Sequence, residues 1–159
     1  MVNQYLKLKL LEENGRVSIY SPVFEGETLS EYEKFLTTHK ELYRDDIGVI
    51  MARIDNIKED GESDGYLRCE GRRSDRVGAL PPSFDSCKLR LYCICVRTNI
   101  LILGGGGRKT TRTYNEDPQL SHHVNILQKI DREIMMREAD RRIFIGDDNL
   151  MHGKLGFYI

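Results

Sequence analysis

The stretch from Lys88 to Gly107 restricts the fold more than any other part of the chain. From Lys88 to Val96 the residues alternate in the two-residue period of a strand. One face would carry Leu89, Leu91, Cys93 and Cys95, and the other Arg90, Tyr92, Ile94 and Val96. Arg97, Thr98 and Asn99 make a short turn, and Ile100–Leu103 is wholly apolar. Such a run reads as a central strand covered on both faces. Two neighbouring strands joined by a short turn make an antiparallel hairpin, here 88–96 paired with 100–104. The glycines Gly104–Gly107 end the apolar run.

The flanking elements follow from local signals. Residues 4–11 alternate as a strand, Asn14-Gly15 is a strong hairpin turn, and Val17, Ile19 and Tyr20 return until Ser21-Pro22 stops them. Ser30 and Glu33 have the spacing of a capping box, opening a helix with Tyr32, Phe35 and Leu36 on one side. After a break near His39, Ile47, Ile50, Met51, Ile54 and Ile57 recur at helical spacing within a second helix from about Tyr43 to Lys58. A strand near Tyr66–Cys69 is compatible with the pattern. Asp117-Pro118 starts a last helix, with an apolar stripe of Leu120, Val124, Leu127, Ile130 and Ile134, ending near Arg141-Arg142. The expected architecture is α+β: an antiparallel sheet, a helical hairpin packed on one face and a C-terminal helix. The expected organisation is one domain over residues 1–159, with an N-terminal strand-hairpin extension (about 1–27) and a C-terminal tail (about 146–159).

A chain of 159 residues can build its own core without metal or disulfides. It has no apolar run of the roughly 20 residues a membrane span needs, and its start has no signal-peptide core, so a cytoplasmic protein without membrane contact is expected. Cys69, Cys87, Cys93 and Cys95 include one close pair and no neighbouring histidine, so small buried side chains are expected rather than zinc. His122 and His123 are adjacent and would point about 100° apart on a helix, which is poor for chelation. No cofactor is called for. The Gly104–Thr110 run lacks phosphate-loop spacing because Arg108 intervenes before Lys109 and threonines follow. A bulge or a close backbone approach explains these glycines better.

Charge is uneven along the chain. Residues 68–112 hold ten Lys/Arg against three Asp/Glu, whereas residues 1–67 hold eight against fourteen. The basic middle segment suggests a local anion-binding face. Arg90, Arg108, Lys109 and Arg112 would share one surface on a twisted sheet and grip phosphate oxygens, with Arg72, Arg73 and Arg76 as further RNA-binding candidates. Tyr92 shares a strand face with Arg90 and is placed to stack on a base. The alternative is structural: Arg90 pairs with a helix carboxylate, Tyr92 is core and the other cations face solvent.

Lys88-Leu89-Arg90-Leu91-Tyr92, the strand Ile100–Leu103 and the run Arg108-Lys109-Thr110-Thr111-Arg112-Thr113 together resemble the RelE/ParE superfamily of bacterial toxins. The resemblance spans about residues 28–142 and is specific over 88–113. It implies a curved antiparallel sheet whose concave face holds basic residues. It also implies metal-free cleavage of messenger RNA on the ribosome, as a RelE/HigB-like interferase in a toxin–antitoxin pair. Lys109 would be the general base, its pKa lowered by Arg108 and Arg112. Arg90 would stabilise the phosphorane charge, and Tyr92 would stack or act as acid. Such a protein would have RNA, the ribosome and a cognate antitoxin as partners. This chain departs from the family in being longer and nearly neutral. The rival expectation is a non-enzymatic module of the same fold that binds a protein, or a mobile-element accessory protein.

Overall fold

A computed structural model of the protein describes residues 3–61, 68–69, 75–81, 87–109 and 117–159. The chain runs β1 (Tyr5–Glu13), β2 (Ser18–Phe24), α1 (Glu31–His39), α2 (Arg44–Asp60), β3 (Arg68–Cys69) and β4 (Val77–Leu80). It continues with β5 (Leu89–Arg97), β6 (Ile100–Arg108), α3 (Pro118–Ala139), β7 (Ile143–Ile145), β8 (Met151–Gly153) and β9 (Gly156–Tyr158). Seven strands form one sheet in the order β3-β4-β5-β6-β2-β1-β9, and β7 and β8 form a separate small hairpin. Neighbours are antiparallel except β2 and β6, which run parallel. The elements between them, α1 through β5, supply the long crossover that a parallel pair needs.

The fold is α+β with a mostly antiparallel sheet, and helices cover both of its faces. Phe35, Ile47, Ile50, Ile54 and Ile57 of α1 and α2 pack on Ile19, Leu89, Leu91, Cys93, Leu101 and Leu103. Leu120, Val124, Leu127, Ile130 and Ile134 of α3 pack on Tyr20, Tyr92, Ile94, Ile100 and Ile102 from the other side. This two-sided cover is why residues 100–103 are uniformly apolar. Ser30 caps α1 in a full capping box with Glu33, and Asp117 caps α3 through the amides of Gln119 and Leu120. Among the described residues, no helix is long and apolar enough to cross a membrane.

Several expectations need correction. β2 does not stop at Ser21-Pro22 but continues to Phe24, with Pro22 opposite Leu8. Ser18 N donates away from β1, to Asn99 O (3.0 Å), so Pro22, in phase with it, directs its nitrogen the same way. The β2–β6 ladder has already ended at Tyr20, so the donor proline lacks has no partner to lose. Nor is the N-terminal hairpin an extension: β1 and β2 lie within the main sheet, and β9, from the expected tail, adds beside β1. α3, by contrast, ends at Ala139 with its C-cap at Asp140, next to Arg141-Arg142 where its end was expected. Last, β6 does not end at the glycines. It runs to Arg108, with a bulge that sets Gly104 and Gly105 opposite the single residue Tyr92.

Candidate functional site

Neighbouring positions on a strand point to opposite faces, and directly paired residues point to the same one. Arg90 pairs with Gly107, and a Cβ on Gly107 would point at Leu120 of α3. Arg108 pairs with Leu89, whose side chain packs in the cluster formed with α1 and α2. Arg90 and Arg108 therefore leave the sheet from opposite faces, contrary to the expected common surface. Arg90 is 6% exposed, and its Nη1 donates to the carbonyls of Cys87 (2.6 Å) and Leu89 (2.8 Å). Among the described residues no helix carboxylate pairs with it; it ties down the backbone at the entry to β5.

Tyr92 is fully enclosed in the core with the apolar stripe of α3. Its ring offers no face for a base to stack on, which corrects the stacking role. Arg76 is also structural. Its guanidinium reaches the buried carboxylate of Asp131 (2.6 Å) and the Val96 carbonyl (3.0 Å), and lies 3.6 Å from Glu138. These contacts pin β4 and β5 to α3. Arg72, Arg73 and Arg112 lie outside the described residues. Of the candidate set, Arg108 is exposed at the end of β6 and Lys109 follows it, half-buried, with its amide held by the Lys88 carbonyl (2.8 Å). Among the described residues, these are the two candidate cations that come together at an accessible position.

A second arrangement lies next to them. β2 and β6 pair only over Ser18–Tyr20 and Ile100–Ile102. Beyond that seam the strands separate, and Ser21 Oγ donates across the gap to the Leu103 carbonyl (2.6 Å). α1 from one face and the first two turns of α3 from the other border an open cleft of about 250 Å³. Gly105 and Gly106 form its floor; His39, His123, Glu31, Lys34 and Gln119 are among its walls. The glycines are required by close approach. A Cβ at Gly105 would sit 2.7 Å from His123 Nδ1, and one at Gly106 only 1.9 Å from the Arg90 carbonyl oxygen.

Both imidazoles in this cleft favour the neutral state. Burial pushes His123 down to about 4, helped by the neighbouring His122, Lys34 and His39. Burial also lowers His39, against a hydrogen bond to the Gly106 backbone that favours its charged form. The ammonium of Lys34 is taken up by Glu27 (2.7 Å) and Glu31 (3.1 Å). Burial raises the Glu31 carboxyl above its ordinary range. Sequence reasoning missed this cleft because His39 and His123 are 84 positions apart and belong to no motif. The local signal was the glycine run, which reports only that something approaches closely.

In comparisons with known proteins, the chain matches no family model, no curated protein and no solved structure.

Proposed function

We propose that the chain is a RelE-type RNA-binding protein that cleaves messenger RNA on the ribosome without metal and is held in check by a cognate antitoxin in the cytoplasm. The observation that carries this reading is the pairing of exposed Arg108 with Lys109 where β6 leaves the sheet, at the head of the basic run that the resemblance rests on. Two adjacent cations at a strand exit suit a phosphodiester backbone. In the reaction, Lys109 removes the 2′-OH proton, the freed oxygen attacks the adjacent phosphorus to close a 2′,3′-cyclic phosphate, and the bond to the 5′-oxygen breaks as that oxygen takes a proton from water. Arg108 stabilises the charge that builds on the phosphorane. Arg90 becomes a positioning residue, since its guanidinium is bound to backbone carbonyls.

Expression of the wild-type chain without a partner is expected to slow bacterial growth, with new 5′ ends mapped by primer extension on translated transcripts. Arg108→Ala combined with Lys109→Ala should abolish both effects while the protein stays folded. In a binding assay the same pair should flatten the salt dependence, by roughly 0.7 in log–log slope for each lost single-strand phosphate contact. Unaffected growth, or slowed growth with intact transcripts, would defeat the nuclease reading.

A second reading has its own support. Tyr92 and Arg90 are in the interior, so two of the three residues assigned to catalysis have structural work. That favours a non-enzymatic module of the same general shape, which would bind a protein partner and leave RNA intact.

A further inference from the structure

We propose that the cleft between α1 and α3, floored by Gly105 and Gly106, holds a nucleobase splayed out of the single-stranded RNA whose phosphates lie at Arg108 and Lys109. This rests on the RNA-binding reading and assigns that reading a base subsite. Shape is the first argument. His123 packs directly on Gly105, so an imidazole and a bare stretch of peptide form adjoining flat surfaces. The His39 ring lies 5.1 Å from Phe35 and 5.9 Å from Tyr43, which fixes its orientation. Single-stranded RNA is read by stacking unpaired bases on such rings and bonding their edges.

Charge is the second argument. A phosphate needs a cation to spare, but Lys34 is neutralised by Glu27 and Glu31. Burial favours the neutral form of both imidazoles. What remains is hydrogen-bonding capacity: the Gln119 amide offers a donor and an acceptor, and the Glu31 carboxylate can accept from an exocyclic amine. A neutral planar heterocycle with polar edges fits this set, and an anion does not.

Reach is the third argument. Gly105 and Arg108 are three residues apart on one strand, roughly 10 Å. A sugar–phosphate chain held at the strand exit can turn a neighbouring base into the cleft.

The test uses the intact protein and two probes. Adenosine, which carries no phosphate, should shift the Cε1–H resonances of His39 and His123 in NMR titration, and inorganic phosphate at the same concentration should not. Gln119→Ala, at an exposed helical position, should weaken adenosine at least fivefold with thermal unfolding unchanged; His39→Ala should weaken it similarly. A short RNA carrying 2-aminopurine should lose fluorescence on binding, and Arg108→Ala should weaken that binding while leaving the quench at saturation intact. Shifts with phosphate, or none with adenosine, would overturn the base subsite. RNA that binds by anisotropy without a quench would overturn it too, while leaving the RNA-binding reading standing. Adenosine shifts without any RNA binding would support the base-binding cleft and overturn the RNA-binding reading instead.

Discussion

His123 is a residue through which the stability of the fold is expected to depend on pH. Its imidazole is held neutral by burial, with a pKa near 4 against 6.5 in an unfolded chain. Between these values the unfolded state binds the proton and the folded state does not. The stabilisation is therefore complete above about pH 6.5 and is lost as pH falls toward 4. Solvent at the open cleft screens part of this effect, and a loss of about 1–2 kcal/mol is expected. Urea unfolding at pH 7 and at pH 4.5 measures it, and His123→Gln should reduce the difference, leaving the part that belongs to His39, whose ring burial also disfavours charging. A wild-type stability that is flat over this range would show the ring to be wetter than its packing on Gly105 implies. None of this was legible in the sequence, where His122 and His123 look alike. Only the packing of α3 on β6 distinguishes the inward ring from the exposed one.

At the scale of elements, what was legible depended on whether the signal was local. The capping box at Ser30 and the cap at Asp117 are contained within four residues, and both helix starts formed as expected. The hairpin 88–104 was also legible, since alternation and an apolar run were enough. Its continuation through the glycines was not. A glycine run reads as a strand ending until one knows that Leu127, His123 and the Arg90 backbone fill the places of the missing side chains. Two glycine substitutions separate these meanings. Gly106→Ala drives a Cβ into the Arg90 carbonyl, and rigid backbone cannot yield as a side chain does, so a loss of about 3 kcal/mol is expected. Gly48→Ala, within α2 and with open space around it, should instead stabilise by about 0.5–1 kcal/mol through helix propensity. Thermal or urea unfolding of the two variants should give opposite signs; equal effects would mean that β6 is not held as closely as its register indicates.

For the whole molecule, the sheet is closed on one side by residues from the far end of the chain. β9 pairs with β1 over Tyr5–Lys7, and Phe157 is buried beside Leu6 beneath the guanidinium of Arg137, 5.0 Å from its ring. Phe157→Ala should cost about 3–5 kcal/mol in unfolding free energy, close to the effect of truncating a residue in the middle of a core. A cost under 1 kcal/mol would return residues 146–159 to the status of an appended tail. The expected tail was a reasonable reading of three scattered glycines, because a three-residue strand has no period of its own and is defined only by its partner.

The short parallel seam between Ser18–Tyr20 and Ile100–Ile102 has a kinetic consequence. On either side of it, β1 with β2 and β5 with β6 are hairpins that close over a few residues. The seam instead joins positions 82 residues apart, so the entropy of closing that loop comes due before most of the sheet's stabilisation is gained. The two blocks have local instructions for their own assembly; their union has only three residue pairs. Folding speed is therefore governed by the smallest ladder in the main sheet's centre, and the gap just beyond that ladder is where the cleft lies.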